Sequence, residues 1–588
     1  MTDLSRKHAS AIAQSVLNGS RTALSVIEDL LIRLDAYDKV QPQIWISRMT
    51  AEQLRDAARA VDARVAAGER LPLAGVPFAV KDNIDVAGLD TTAACPAFAY
   101  APEASAPVVA NLLEAGAICV GKTNLDQFAT GLNGSRSPYG IPRNAYDLAY
   151  VSGGSSAGSS IAVAAGLVSF ALGTDTAGSG RVPAAFNHLV GLKPTKGRWS
   201  TRGLVPACRS IDCITVFTDS IADARLVDQV IAGFDAEDPY SRPLHDQPLE
   251  PARIGVPKPE QCVWFGDSQS EFLYGQALEK LAGRYEMVEI DIDFLNEAAS
   301  LLYSGPWVAE RTAAVGQMLT DQPEAIDETV RGIVAQGEDI SAVELFRGMY
   351  RLAELQRLAE QLWATVDMLA FPTTGTTYRV AEMLAAPVAL NSNLGRYTNF
   401  VNLLDMAAIA VPAGMRANGT GFGITLIGPA GTDKALMDVA ERYLAEARLP
   451  ALPPLDLEGK MEKVRLAVVG AHLKDMPLHW QLTSREAEFV GAFETARSYR
   501  LYALADSTPP KPALVHSDDG AQIAVEVYEL DVAAFGSFVA EVPAPLAIGT
   551  VTLSDGSSVK GFVAEPRATV GAQDITHLGG WREFIASA

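Results

Sequence analysis

Val151-Ser-Gly-Gly-Ser-Ser-Ala-Gly-Ser-Ser160 is a run of small residues that feeds directly into the apolar segment Ile161-Ala-Val-Ala-Ala-Gly166. The pattern predicts a loop entering a helix. An apolar stretch and a second small-residue loop follow, Leu172-Gly-Thr-Asp-Thr-Ala-Gly-Ser-Gly-Arg-Val-Pro183. Such loops let backbone N–H groups converge on one point, which suits an anion at a helix N-terminus or a developing oxyanion. Read alone, each loop is explained as well by tight turn packing.

Working outward, Gly75-Val-Pro-Phe-Ala-Val80 and Ala117-Ile-Cys-Val120 read as short apolar strands between Pro- and Gly-marked turns and helices. This alternation predicts an α/β fold with a mixed, largely buried central sheet surrounded by helices. Leu24, Ile27, Leu30, Leu31 and Leu34 fall at helical spacing, so the first 70 residues read as helices, and helical periodicity returns over 295–365. A strand is expected at Val366–Phe371, then a hairpin with arms Ala408–Val411 and Gly423–Ile427 joined through Asn418-Gly419.

Leu449-Pro-Ala-Leu-Pro-Pro-Leu-Asp456 can continue neither a helix nor a sheet interior. It marks a boundary, giving a large domain over 1–448, a linker over 449–462 and a smaller α+β domain over 463–588. Expected strands in the last are Lys463–Val469, Ala524–Tyr528 and Gly549–Leu553. A chain of 588 residues exceeds one ordinary core, which fits two domains.

The net charge of −22 argues against nucleic-acid partners, which need a clustered basic surface. The N-terminus lacks a signal-peptide pattern, and no apolar run reaches the roughly 20 residues that span a bilayer. A cytoplasmic protein without membrane contact is expected. Five cysteines without a Cys-x-x-Cys pair fit a reducing compartment, and seven histidines without ligand spacing argue against a metal; no cofactor is expected.

Gly116-Ala-Ile-Cys-Val-Gly121-Lys122-Thr123 matches the phosphate-loop pattern G-x-x-x-x-G-K-[ST]. A phosphate loop needs its strand before the first glycine. Here an apolar strand occupies the supposed loop and a helix over 108–114 precedes it, so Gly116 reads as a helix cap and nucleotide hydrolysis is rejected.

Lys81 ends the apolar strand in Phe78-Ala-Val-Lys81-Asp-Asn-Ile84. A lone lysine there is ordinarily a solvated strand end. Together with the Gly-Gly-Ser-Ser loop and the Gly-Ser loop, however, it closely resembles the amidase signature family of Ser–Ser–Lys amidohydrolases over residues 10–445. The resemblance implies Ser179 as nucleophile, Ser155 as the bridging serine twenty-four positions earlier (179 − 155 = 24) and Lys81 as base. It implies an oxyanion hole from the backbone amides of Thr176, Ala177, Gly178 and Ser179, and a cis peptide at Gly154–Ser155. Ala177 stands where many members carry glycine, which leaves the amide donor intact. Asp175 and Arg181 read as an ion pair that fixes the loop.

Within the family the chain looks most like the allophanate hydrolases, on three features. These are the 174–183 loop, the run Val205-Pro-Ala-Cys-Arg-Ser-Ile-Asp-Cys213, and the extra C-terminal domain. That resemblance implies Tyr303, Arg311 and Gly131 as substrate-contacting residues, with Arg311 holding the carboxylate of allophanate. It also implies a homodimer and a separate urea carboxylase as the source of allophanate. The C-terminal domain resembles the γ-glutamyl cyclotransferase-like module of these enzymes, with His472 and Glu541 as its site residues. Left open are an amidase of other specificity, an amidotransferase subunit supplying ammonia, and a non-catalytic binding protein on the same scaffold.

Overall fold

The structure is a computed structural model that describes residues 6–447, 449–457, 463–485, 487–504 and 508–587. It forms two compact units, Met1–Gly459 and Lys460–Ala588. Residues 458–462 of the expected linker lie outside the described residues. Residues 449–457 run along the first unit, where the Asp456 N–H donates to Ala145 O at 3.0 Å.

The first unit is built on eleven strands: β1 (Trp45–Arg48), β2 (Pro77–Lys81), β3 (Ile118–Thr123), β4 (Phe170–Asp175), β5 (Val190–Lys193), β6 (Cys213–Thr218), β7 (Arg253–Pro257), β8 (Glu286–Ile290), β9 (Met368–Pro372), β10 (Ala407–Met415) and β11 (Gly421–Gly428). Their order in one sheet is β1-β3-β2-β4-β6-β5-β10-β11-β9-β7-β8. β2 runs parallel to β3 and β4, and β7 parallel to β8 and β9, while the strands between are antiparallel. This is the mixed, largely buried sheet that the alternation predicted.

Every residue of β2, β4, β6 and β9 is buried, so these strands read as continuous apolar runs rather than as alternating ones. Phe78 on β2 stacks on Phe170 of β4 at 5.2 Å, which locks the pair that carries the site. The β10–β11 hairpin turns at Asn418-Gly419, with Gly419 at φ +88°, a conformation that glycine adopts without steric cost. Helices Ala51–Ala66 and Ala342–Leu362 each start at a capping box, Thr50 with Gln53 and Ser341 with Glu344.

One sequence expectation changes and another is met. The N-terminal 70 residues are not all helical, because Trp45–Arg48 forms β1 on the sheet edge, antiparallel to β3. Four residues carry no periodicity of their own; pairing with β3 decides their state. The supposed phosphate loop is strand β3 preceded by helix Pro107–Glu114, as argued, with Gly116 at φ +89° between them. Lys122 is buried there and forms an ion pair with Asp82 at 3.4 Å.

The second unit has a five-stranded sheet, ordered Glu488–Glu494, Ala524–Asp531, Lys463–Val468, Ser558–Ala564, Leu546–Thr552, and a separate three-stranded sheet. No helix among the described residues is long and apolar enough to cross a membrane.

Candidate active site

The register of the sheet places the first components. β2 and β4 are parallel neighbours with Val80 opposite Leu172, so Lys81 ends its strand beside Gly173 and Thr174. Lys81 is fully buried. Its Nζ donates to Thr174 Oγ1 at 2.6 Å and lies 2.8 Å from Ser155 Oγ. Burial depresses its pKa to about 7, opposed by the more distant carboxylates of Asp126, Asp212 and Asp175. Among the described residues no carboxylate pairs directly with Lys81.

Ser155 sits in the loop before helix Ala157–Ala164, and the Gly154–Ser155 peptide is cis, as the resemblance implied. The other serines of that run have structural partners. Ser156 Oγ donates to Thr174 O at 3.1 Å, Ser159 Oγ to Leu172 O at 2.9 Å, and Ser160 Oγ to Ala157 O at 2.9 Å. Ser156 and Ser159 tie the loop and helix to β4, Ser160 bonds within the helix, and Ser155 is left beside the lysine. Asp126 fixes the far side: its N–H donates to Ser155 O at 3.1 Å, and its carboxylate accepts the amides of Gly134 and Arg136 at 3.0 Å each. A side chain at Gly131 or Gly154 would collide with that carboxylate, which is why both are glycine.

Ser179 follows β4 on a loop held by Asp175. Arg181 makes a two-pronged pair with Asp175, both bonds at 2.9 Å, and both side chains are buried. Burial pushes the Asp175 carboxyl up, and the guanidinium together with Lys193 and the Gly180 amide more than reverses this, leaving it below the usual carboxylate range. Asp175 also accepts the Gly178 N–H at 2.9 Å and the Gly180 N–H at 3.0 Å. The Gly178 amide is therefore engaged, and the proposed oxyanion donors narrow to Thr176, Ala177 and Ser179.

Ser179 Oγ donates to Gly131 O at 3.5 Å, so the substrate-contacting glycine of the sequence reading lies beside the nucleophile of that reading. One residue away, Thr130 Oγ1 accepts from Arg311 Nη1 at 3.1 Å. Arg311 is buried, its Nη2 donates to Tyr303 OH at 3.2 Å, and its guanidinium lies 4.8 Å from the centre of the Tyr303 ring. Its Nε has no partner among the described residues. The structure thus gathers Lys81, Ser155, Ser179, Gly131, Tyr303 and Arg311 around the ends of β2 and β4. Sequence reading did not single out Thr130, Thr174 or Asp126. Asp212 stood in the quoted 205–213 run without an assigned task.

In the second unit, His472 stacks on Phe562 at 4.9 Å and meets the edge of Phe538. Burial depresses its pKa, opposed by a hydrogen bond with Gln481. His472 Nε2 and Gln481 Oε1 are 2.7 Å apart, while Gln481 Nε2 donates to Glu541 at 3.2 Å. Glu541 is half exposed and paired with Arg485 at 2.6 Å, so His472 and Glu541 are linked through Gln481 rather than touching. Among the described residues no group of three or more His, Cys, Asp or Glu side chains could hold a metal ion.

Comparison with known proteins agrees with this geometry. The amidase family model matches residues 28–437, and the model for the allophanate hydrolase C-terminal domain matches 464–586. A urea amidolyase of Lachancea kluyveri is 45% identical over 92% of the chain, which spans only 31% of that protein, about a third. An allophanate hydrolase structure from Kluyveromyces lactis is 41% identical with a TM-score of 0.70, covering 98% of this chain and 99% of that one. A glutamyl-tRNA(Gln) amidotransferase subunit from a Nostoc species is 33% identical over 73% of the chain and 96% of its own length. The chain belongs to the amidase family.

Proposed function

We propose that the chain hydrolyses allophanate, with Ser179 as nucleophile, Ser155 as proton bridge and Lys81 as base. The observation that carries the reading is a buried lysine, unpaired with any carboxylate among the described residues and in contact with Ser155 Oγ. In that environment the neutral amine is available near neutral pH.

Ser179 Oγ attacks the urea carbonyl, and its proton passes through Ser155 to Lys81. The amides of Thr176, Ala177 and Ser179 receive the oxyanion, each such donor being worth about 10²–10³ in rate. Lys81 returns the proton through Ser155 to the leaving nitrogen, and ammonia departs. Water then cleaves the serine ester by the reverse relay, releasing an N-carboxy carbamate that breaks down to ammonia and carbon dioxide.

Arg311 suits the substrate carboxylate, since a guanidinium fork pairs with carboxylate and is here held by Thr130 and Tyr303 beside Gly131. This cation and the match of residues 464–586 favour allophanate over a glutamyl-tRNA amidotransferase role. In this reading a urea carboxylase supplies the allophanate, supported by the name of the matched urea amidolyase and by the two thirds of it that this chain does not match. We carry forward the homodimer from the same resemblance; a solution mass near the 62.4 kDa of one chain would reject it.

The test is ammonia release from allophanate and from a panel of simple amides by the full chain and by Ser179→Ala. Release from allophanate alone, abolished in the variant, supports the proposal. Release from simple amides only would keep the Ser–Ser–Lys chemistry and discard the substrate.

A further inference from the structure

The 205–213 run carries a buried carboxylate that the proposed reaction does not use. Asp212 is 4% exposed and immediately precedes β6, where Cys213 lies opposite Asp175 of β4. Its Oδ1 accepts from Thr176 Oγ1 in the nucleophile loop. Its Oδ2 accepts the N–H groups of Ala207 at 2.8 Å and Cys208 at 3.2 Å. The same turn reaches the helix of Arg311. Cys208 Sγ lies 3.7 Å from Trp307 O, and Ser210 donates to the Glu310 carboxylate through N–H and Oγ, both at 2.7 Å. One turn therefore ties the loop that presents Ser179 to the helix that presents Arg311.

Three buried carboxylates favour the charged form of Lys81 through space, against its burial: Asp126, Asp212 and Asp175. Asp175 is paired with Arg181. Asp126 accepts backbone amides and has the Arg136 guanidinium near it. Asp212 has no ion-pair partner within 4.0 Å among the described residues, with Arg311 acting only at longer range. The neighbouring Cys208 thiol is kept protonated by burial. Burial also pushes the Asp212 carboxyl up to about 6, against the Thr176 hydroxyl and the Ala207 and Cys208 amides. Among the described residues only Asp175 has an ion-pair partner within 4.0 Å; Asp126 and Asp212 each have a guanidinium at longer range, and of these two it is Asp212 that accepts from the side chain of Thr176.

We infer that Asp212 is a positioning residue that holds Thr176 in the oxyanion loop and, through its charge, sets the basicity of Lys81. The inference rests on Lys81 acting as the base. An ionised Asp212 favours the ammonium form of Lys81, so removing its charge lowers the lysine pKa. The base is then neutral, and competent, at lower pH.

The experiment is the pH profile of kcat/KM for allophanate in the full chain, Asp212→Asn and Thr176→Val. Asp212→Asn is expected to lower kcat and to move the acid limb down by about one pH unit. Thr176→Val, which removes the hydroxyl and keeps the charge, is expected to lower kcat with the limb in place. An unmoved limb in Asp212→Asn overturns the inference. Should that variant not fold, Asp212→Glu keeps the charge, and a limb displaced from that of the parent overturns it equally. Lys81→Ala separates the two levels of argument: full activity there removes the underlying base assignment, whatever Asp212 does.

Discussion

Arg311→Ala probes the substrate assignment most directly. Arg311 is buried, two of its N–H groups are spent on Thr130 and Tyr303, and its guanidinium lies over the Tyr303 ring. The remaining donors would meet a substrate carboxylate from which most water is excluded. Deleting one member of such a buried charged pair costs about 2–5 kcal/mol, because the other is left desolvated and unpaired. At 1.4 kcal/mol per tenfold, kcat/KM for allophanate should fall between about 30-fold and several thousandfold. The comparison substrate is biuret, in which a neutral amide replaces the carboxylate at nearly the same size. Ammonia release is measured for both substrates on both proteins. Biuret turnover should change by less than about threefold, since it offers no charge for the guanidinium to meet. Equal losses on the two substrates would refute the reasoning and make Arg311 a structural residue of the Tyr303–Thr130 contact.

With the Lys81 pKa depressed to about 7, kcat/KM should rise with pH through that value and level off above it, since only the neutral amine accepts a proton. A rate–pH profile flat from pH 5 to 9 would exclude lysine as the base. Arg181→Met leaves Asp175 buried and unpaired, so the melting temperature should drop by the equivalent of about 3–5 kcal/mol. Adding Asp175→Asn should recover part of that loss, and a double variant less stable than the single one would contradict the pairing argument. We further propose that His472 acts on the N-carboxy product; His472→Ala should leave the first ammonia unaffected and slow the second, as separate time courses for ammonia and carbon dioxide would show. Identical time courses would leave His472 a packing residue between Phe538 and Phe562.

Much of the architecture was readable because it is written in local pattern. Apolar runs in strands buried on both faces, the Asn418-Gly419 turn and the helix that precedes Gly116 all depend on a few adjacent residues. The phosphate-loop match failed for the same local reason, since a strand cannot also be a loop. Trp45–Arg48 escaped because a four-residue edge strand exists only by pairing with β3. Lys81, Ser155 and Ser179 were singled out by the resemblance of their motifs to the amidase signature family, since each segment alone had an ordinary structural reading. Gly178 was over-read: its residue type says nothing of whether its amide is free, and Asp175 takes it.

By itself the sequence determined most strand and helix segments and the small-residue loops, because backbone geometry and periodicity act over short stretches; Lys81, Ser155 and Ser179 were singled out by the resemblance of their motifs to a known family. Only the tertiary structure decided that Lys81 is buried against Ser155, 74 residues away, and that Arg311 reaches Thr130 across 181 residues. Desolvation, which depresses the pKa of a strand-end lysine, and the placement of Asp212 between the 174–183 loop and the Arg311 helix are properties of what packs around a group. No local pattern encodes them.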